Sequence, residues 1–426
     1  MTPGQTSAGA RPEGRCLQRI VATTDVHSVL DHASLLVSQL HALQGEALIA
    51  DCGDFFEGTG YYVLGGGQAE TALLTALYDV VAPGNHGYRH HLDDAALHAM
   101  TVCANVTGQS GTPVFAPLAA FEIGGATVAV AGVLGIEAFI SIPPAERTNH
   151  KIVDPAFALR ALHRKHLGGV DSWIVLSHAG FAHDLALARA CPFLDVVFSG
   201  HCHSPESGPV TVGGVTVVKG PELAAGYATA RPGGCQWRAA TTTFLPPDAQ
   251  VAPPDGLRPV LDQVADLRGE LDEPVGTLDR RFAGRTPPRR ELLSHLARAA
   301  REVTGADVAV FNQTCLRETT LGPVLHVGEL MALEPFGNTL ICVQATDPTA
   351  LVEHLIVAAG PLVCDPQPFP RLPHGRAVTV VTTDYLATTH LDGRSPVTPY
   401  PARRDWPLYT REVLRGVLLA EVAGRR

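Results

Sequence analysis

LQRIVATTDVH, residues 17–27, is the stretch that decides the fold. A short apolar, β-branched run stops at two threonines and then presents a carboxylate and an imidazole, Asp25 and His27. The pattern recurs. ALIA (47–50) runs into Asp51 and Asp54, DVVA (79–82) into Asn85 and His86, WIVL (173–176) into His178, and DVVFS (195–199) into His201 and His203. A further run, 128–133, has no polar end, and 215–219 closes the series. Continuous apolar runs alternating with helical stretches are how a sheet covered on both faces reads. In open α/β sheets the ligand lies beyond the carboxyl ends of the strands. These clusters, distant in sequence, are therefore expected to converge on one crevice.

At 426 residues the chain is too long for one compact core, so two domains are expected. Hydrophobic residues at 46% and charged ones at 17% exclude a disordered chain. Lys+Arg 32 against Asp+Glu 42 gives a net charge of −10, the wrong sign for a general binder of nucleic acid polymers. An anionic substrate would have to be met by a local cluster of cations. No run approaches the ~20 apolar residues that cross a bilayer. Residues 1–16 read as a flexible leader without the apolar core of an export signal. The expectation is a cytoplasmic protein with no membrane partner, its oligomeric state left open. Nine scattered cysteines without a CxxC pair read as reduced thiols, neither a disulfide framework nor a zinc finger.

LPPDAQVAPPDG (245–256) breaks the periodicity and reads as a linker. The expected division is a first α/β domain over 17–245, a linker over 246–258 and a second α/β domain over 259–426. In the second domain the spacing predicts helices over 257–268 and 291–303 and strands over 308–311, 340–343 and 377–381, with a proline-rich loop at 361–373.

The strand-end residues are N and O donors suited to borderline divalent metals. In an extended segment, residues i and i+2 point the same way. Asp25 with His27, and His201 with His203, are each expected to present two ligands to one side, with Cys202 turned away. Asp54 has two carboxylate oxygens and can bridge two ions.

The order DVH (25–27), GDFFEG (53–58), GNH (84–86), SH (177–178) and GHCH (200–203) resembles the calcineurin-like metallophosphoesterase superfamily. TGADVAVFNQTCLR (304–317), LEPFGNTL (333–340) and TTDYLATTHLDG (382–393) make the second half similar to the C-terminal domain of the two-domain 5′-nucleotidase family. The resemblance implies a four-layer αββα catalytic domain followed by an α/β domain that binds substrate. It implies two divalent ions (zinc, manganese, iron, cobalt or nickel), the first on Asp25, His27, Asp54 and His203. The second would sit on Asp54, Asn85, His178 and His201, with His86 facing the phosphate. Phe336 and Tyr385 would sandwich a nucleobase, and Arg317, with Arg285 and Arg289, would grip anionic groups. The implied activity is removal of the 5′-phosphate from a nucleotide. Rival readings are a cyclic-nucleotide phosphodiesterase or nucleotide-sugar diphosphatase, and a nucleotide-binding protein with impaired catalysis.

Three departures from the family pattern matter. Arg89 stands where an aspartate usually follows the histidine of GNH by three residues. Either another carboxylate substitutes, or Arg89 itself contacts substrate, which makes it a catalytic candidate beside Asn85 and His86. NQTCLR places Gln313, Thr314 and Cys315 where the family carries glycines, and THLDG adds His390 and Leu391 to a tight turn. All three lie around the substrate and none among the metal ligands. Hydrolysis is expected to be retained, with a modified or biosynthetic-intermediate nucleotide as substrate.

Overall fold

Side-chain parity along the first-half strands divides the core in two. Val128 and Val130 face one way and join Ile20, Leu48, Ala50, Ile174, Leu176 and Phe198. Their neighbours Ala129, Ala131 and Val133 face the other way and join Leu159, Leu162, Trp173, Val175 and Leu187. Successive residues of a strand point to opposite faces, so the first cluster is the filling between two sheets and the second lies under helices. The computed structural model, which describes residues 15–234, 236–244, 254–366, 377–391, 397–400 and 408–420, has this arrangement.

One sheet runs, in spatial order, Trp237–Thr243, Gly226–Pro232, Arg19–Thr23, Ala47–Asp51 and Val80–Val81. Its last three strands are parallel. The other runs Val210–Val212, Val215–Lys219, Val196–Ser199, Ser172–His178, Ala126–Leu134 and Leu118–Ile123, with the central four parallel. Helix Ala33–Leu43 covers the first sheet, and helices Pro155–Lys165 and Phe181–Ala190 cover the second. The layers are helix, sheet, sheet, helix. The sequence stops short of the hairpin Gly226–Pro232/Trp237–Thr243, whose outer strand is largely exposed and lacks a continuous apolar run.

The contacts divide the chain into two compact units, the first ending at Arg268 and the second starting at Gly269, within helix Arg258–Leu271. Most of the expected leader, residues 246–253 of the expected linker, and the proline-rich loop from 367 lie outside the described residues. The second unit has a five-stranded mixed sheet in the order Leu362–Asp365, Val308–Asn312, Val378–Thr383, Leu340–Ala345 and Val397–Tyr400. Parity again splits its core. Ala309, Phe311 and Val381 meet helices Arg289–Thr304 and Thr410–Leu418, while Val308, Val310 and Val380 meet Leu351, Leu355 and Leu386. Among the described residues no helix is long and apolar enough to cross a membrane.

Leu48 and Leu293 are fully buried, one in each unit's core. Truncating a buried leucine removes transfer free energy and leaves a cavity, a loss of about 2–5 kcal/mol. Leu48→Ala and Leu293→Ala should each lower the urea midpoint of unfolding by that stability, read by circular dichroism.

Candidate functional site

Five strand ends of the first unit meet at one place. Just past Thr23 the backbone leaves the extended region, and Asp25 and His27 take left-handed φ values of 50° and 51°. Asp54 (55°) and His201 (78°) do the same. Such conformations cost about 1–3 kcal/mol each in non-glycine residues and persist only where the surroundings impose them. Here hydrogen bonds impose them. The amides of Asp25 and His27 donate to the carbonyls of Gly53 and Asp54 (3.0 and 2.9 Å), and that of His201 donates to both Asp25 carboxylate oxygens (3.1 Å). Asp25 and His27 still serve one group, but the expected pairing of His201 with His203 is corrected, because the left-handed turn at His201 sends these two to different places. His203 joins Asp25 and His27, whereas His201 joins Asp54 and His178. Cys202 between them accepts a hydrogen bond from the Phe181 amide at Sγ (3.1 Å).

His27 Nε2 lies 3.2 Å from His203 Nε2, 4.0 Å from Asp25 Oδ1 and 3.7 Å from Asp54 Oδ2. His178 Nε2 lies 3.2 Å from both Asp54 Oδ2 and Asn85 Oδ1. Donor atoms some 3–4 Å apart are what a shared ion about 2.1 Å from each requires. Asp54 takes part in both groupings. The outer nitrogens of two ligand imidazoles are also held. His178 Nδ1 donates to the Cys52 carbonyl (2.8 Å), and His203 Nδ1 meets Glu222 Oε2 (2.6 Å), with Lys219 on the other Glu222 oxygen. These outer contacts leave Nε2 as the free nitrogen of each ring.

The charges suit a divalent cation. Burial lowers His27 to about 4, against the pull of Asp54, and burial with the neighbouring His178 lowers His201 to about 4; both are neutral, the form that binds metal. Asp54 resists burial and stays ionised because His178, His86 and His27 face it. His178 in turn, though buried, is raised to about 9 by Asp54, so its proton sits where a cation would. Asp25, fully buried, is raised by desolvation, a charge in want of a counter-charge. Asp51, by contrast, accepts from Thr23 Oγ1 (2.6 Å) and the Gly53 amide (2.9 Å) and serves the turn.

His86 sits beside the cluster, its ring 5.1 Å from that of His27, and its amide donates to Asp54 Oδ1 (2.8 Å). Its Nδ1 meets Glu57 Oε2 at 2.7 Å. Burial works against its protonation, but the bond to Glu57 and the charge of Asp54 outweigh that and raise the pKa. Arg89 lies elsewhere. Its exposed guanidinium pairs with Asp93 one turn along (2.8 Å), so it stands outside the group around His86.

In the second unit, Arg289, Asn312, Thr314, Cys315, Arg317, Phe336 and Tyr385 line one cavity of about 400 Å³. Phe336 and Tyr385 are half exposed, and the Arg317 guanidinium lies 5.6 Å from the Phe336 ring centre. Buried Glu334 shapes the turn that presents Phe336 by accepting from the amides of Gly337 and Asn338 (3.1 Å each). Arg285 is outside this lining and pairs with Glu291 (2.6 Å). Sequence reasoning passed over Glu57, Glu222 and Glu334. Glu57 alone had a signal, since it sits within the GDFFEG stretch and a partner for His86 was wanted.

Residues 18–205 match the calcineurin-like phosphoesterase family model. The trifunctional nucleotide phosphoesterase protein YfkN of Bacillus subtilis (strain 168) is 21% identical over 389 residues, which is 77% of this chain and 26% of that protein. The chain spans only 26% to 38% of the length of the curated relatives it matches. The crystal structure of a 5′-nucleotidase precursor from Thermus thermophilus superposes with a TM-score of 0.71 at 19% identity, covering 94% of this chain and 96% of that one. A 5′-nucleotidase from Candida albicans gives 0.70 at 13% identity, covering 96% and 100%. With its paired donor sets at the strand ends, the first unit carries over residues 18–205 a match to the calcineurin-like phosphoesterase family, within a chain that has the fold of 5′-nucleotidases.

Proposed function

We propose that this chain hydrolyses the phosphate monoester of a nucleotide with the help of two divalent ions. The observation that carries the reading is Asp54, one buried carboxylate that lies between the two groups of donors, 3.7 Å from His27 Nε2 and 3.2 Å from His178 Nε2. Asp25, His27 and His203 would hold one ion, Asn85, His178 and His201 the other, and Asp54 both. Two ions held there would supply Lewis acidity to a phosphoryl group and an activated water for in-line attack. The chain's own groups do the rest. His86, fixed at its amide by Asp54 and at Nδ1 by Glu57, offers Nε2 to charge developing on the leaving oxygen. Phe336 and Tyr385 would take the base between them. The cavity's described lining holds two arginines, Arg289 and Arg317, and no carboxylate, which suits an anionic ligand. Thr314 and Cys315 add side chains to that lining, which favours a modified or biosynthetic-intermediate nucleotide over common monophosphates.

Phosphate release from a panel of nucleoside monophosphates, beside cleavage of a cyclic nucleotide and a nucleotide sugar, tests this reading. Turnover of a monoester that stops with EDTA and returns with added divalent metal is the expected result. Cleavage of the diester or diphosphate alone would replace it with the phosphodiesterase or diphosphatase reading. Stacking on an aromatic contributes about 1–3 kcal/mol per base, so Phe336→Ala should raise KM roughly 5- to 150-fold and change kcat little.

Asp54 is also closely fitted. A Cβ on Gly84 would stand 1.9 Å from Asp54 Oδ1 and 2.3 Å from its backbone nitrogen, too close for side-chain movement to relieve. Gly84→Ala should therefore purify with fewer than two equivalents of metal by elemental analysis. Gly45→Ala, at a position with nothing within 4 Å, should keep the wild-type content.

A further inference from the structure

Lys219 ends strand Val215–Lys219 with a buried side chain that belongs to neither donor set. An ammonium has three hydrogens to give, and here each has a taker. Nζ donates to the carbonyls of Cys202 (2.9 Å) and Ser204 (2.5 Å) and to Glu222 Oε1. The Lys219 amide adds a fourth bond, to the Ser207 carbonyl (2.7 Å). The three partners of Nζ surround one residue. Cys202 and Ser204 flank His203, and the other oxygen of Glu222 meets His203 Nδ1 at 2.6 Å.

His203 needs such a hold. Its side chain is half exposed, whereas those of His27 and His178 are buried. It stands in residues 200–209, between strands Val196–Ser199 and Val210–Val212, where no strand or helix fixes the backbone. The network also reaches a second donor of the same group, because the amide of Leu223, next to Glu222, donates to the Asp25 carbonyl (2.9 Å). The other group is held differently. His201 is fixed at its amide by the Asp25 carboxylate, and His178 at Nδ1 by the Cys52 carbonyl. Lys219 and Glu222 also lie beyond residues 18–205, the stretch that matches the family model.

We propose that Lys219 is the positioning residue for His203 and that it makes the two ion places unequal. The place at Asp25, His27 and His203 depends on this ammonium; the place at Asn85, His178 and His201 does not. Without it, the carbonyls of Cys202 and Ser204 would lack their donor and Glu222 its counter-charge. His203 would then have to be ordered by the arriving ion, and ordering a loose side chain and backbone weakens binding. This inference rests on the two-ion reading for its consequence, and on the geometry alone for the hold on His203.

The test compares the wild type with Lys219→Met, similar in length and uncharged, and with Lys219→Met/Glu222→Gln. The double variant leaves no unpaired carboxylate and still offers His203 Nδ1 an acceptor. Zinc is titrated into metal-free protein in competition with a chromogenic chelator. The wild type should take two equivalents. Both variants should bind one equivalent as the wild type does and the other roughly 10- to 100-fold more weakly. His203→Ala should also keep one strong equivalent, and adding Lys219→Met to it should change nothing, because a residue that acts only through another is not additive with it. Two equivalents at wild-type affinity in both variants, weakening of both ions, or a further loss in the His203→Ala background would each overturn the proposal. A second readout needs no ion. In hydrogen exchange of metal-free protein, the amides of residues 202–204 should exchange about tenfold faster in both variants, with those of Ala47–Asp51 unchanged. If the wild type takes fewer than two equivalents, the two-ion reading fails, while exchange still decides whether Lys219 holds the segment. Unchanged exchange at 202–204 means that it does not.

Discussion

The first unit is organised around the difficulty of keeping carboxylates ionised where water is excluded. Asp25 and Asp54 are almost wholly shielded from solvent, and a lone charge so placed would drive its own neutralisation. The chain answers with imidazoles brought from four strand ends, those that carry His27, His86, His178, and His201 with His203. For Asp54 they suffice; for Asp25, further from their influence, they do not, and its affinity for a proton rises. Two buried carboxylates, with His27 and His201 neutral beside them and a proton on His178 where a cation would sit, amount to an electrostatic preference for a small dication. The left-handed turns and the bare backbone of Gly84 serve to bring these groups within reach of one another without filling the space between them.

Much of this was legible in the sequence because strands buried on both faces have a simple signature. The runs ending near Thr23, Asp51, Val81, His178 and Ser199 became strands with little change of boundary, and their ends meet. What was not legible depended on backbone handedness and on long-range pairs. Treating 25–27 and 201–203 as extended would have put His201 and His203 on the same side, but a left-handed residue at 201 redirects the chain. Glu222 reaches His203 and Glu334 builds the turn at Phe336 through contacts that no spacing rule encodes. The hairpin that closes the first sheet escaped notice because its outer strand has charged and hydroxyl residues where the others have valine and isoleucine.

The second unit shows a different economy. Its cavity is framed by residues that the sequence pointed to through likeness, Arg289, Arg317, Phe336 and Tyr385, and by others that mark this chain's own departures, Thr314 and Cys315. The Phe336 ring keeps an exposed side because its turn is anchored from beneath by Glu334, which Arg411 also approaches at 3.4 Å. Arg285 shows the limit of likeness without geometry: a neighbouring glutamate engages it first. In this lining Phe336 and Tyr385 are half exposed while Cys315 belongs to the unit's core, whereas most donors of the first unit are buried and His203 alone among its ligand imidazoles is exposed.

The donors come from segments spread between Asp25 and His203. During synthesis on the ribosome, Asp25, His27 and Asp54 emerge long before the three histidines that complete the set. A nascent chain therefore has nothing that resembles the finished binding place until both sheets have closed on each other. Any ion held there would be taken up only after the sheets have closed, unlike in the small zinc modules where metal is the nucleus of folding, and the hydrophobic layers alone would carry the unit until then.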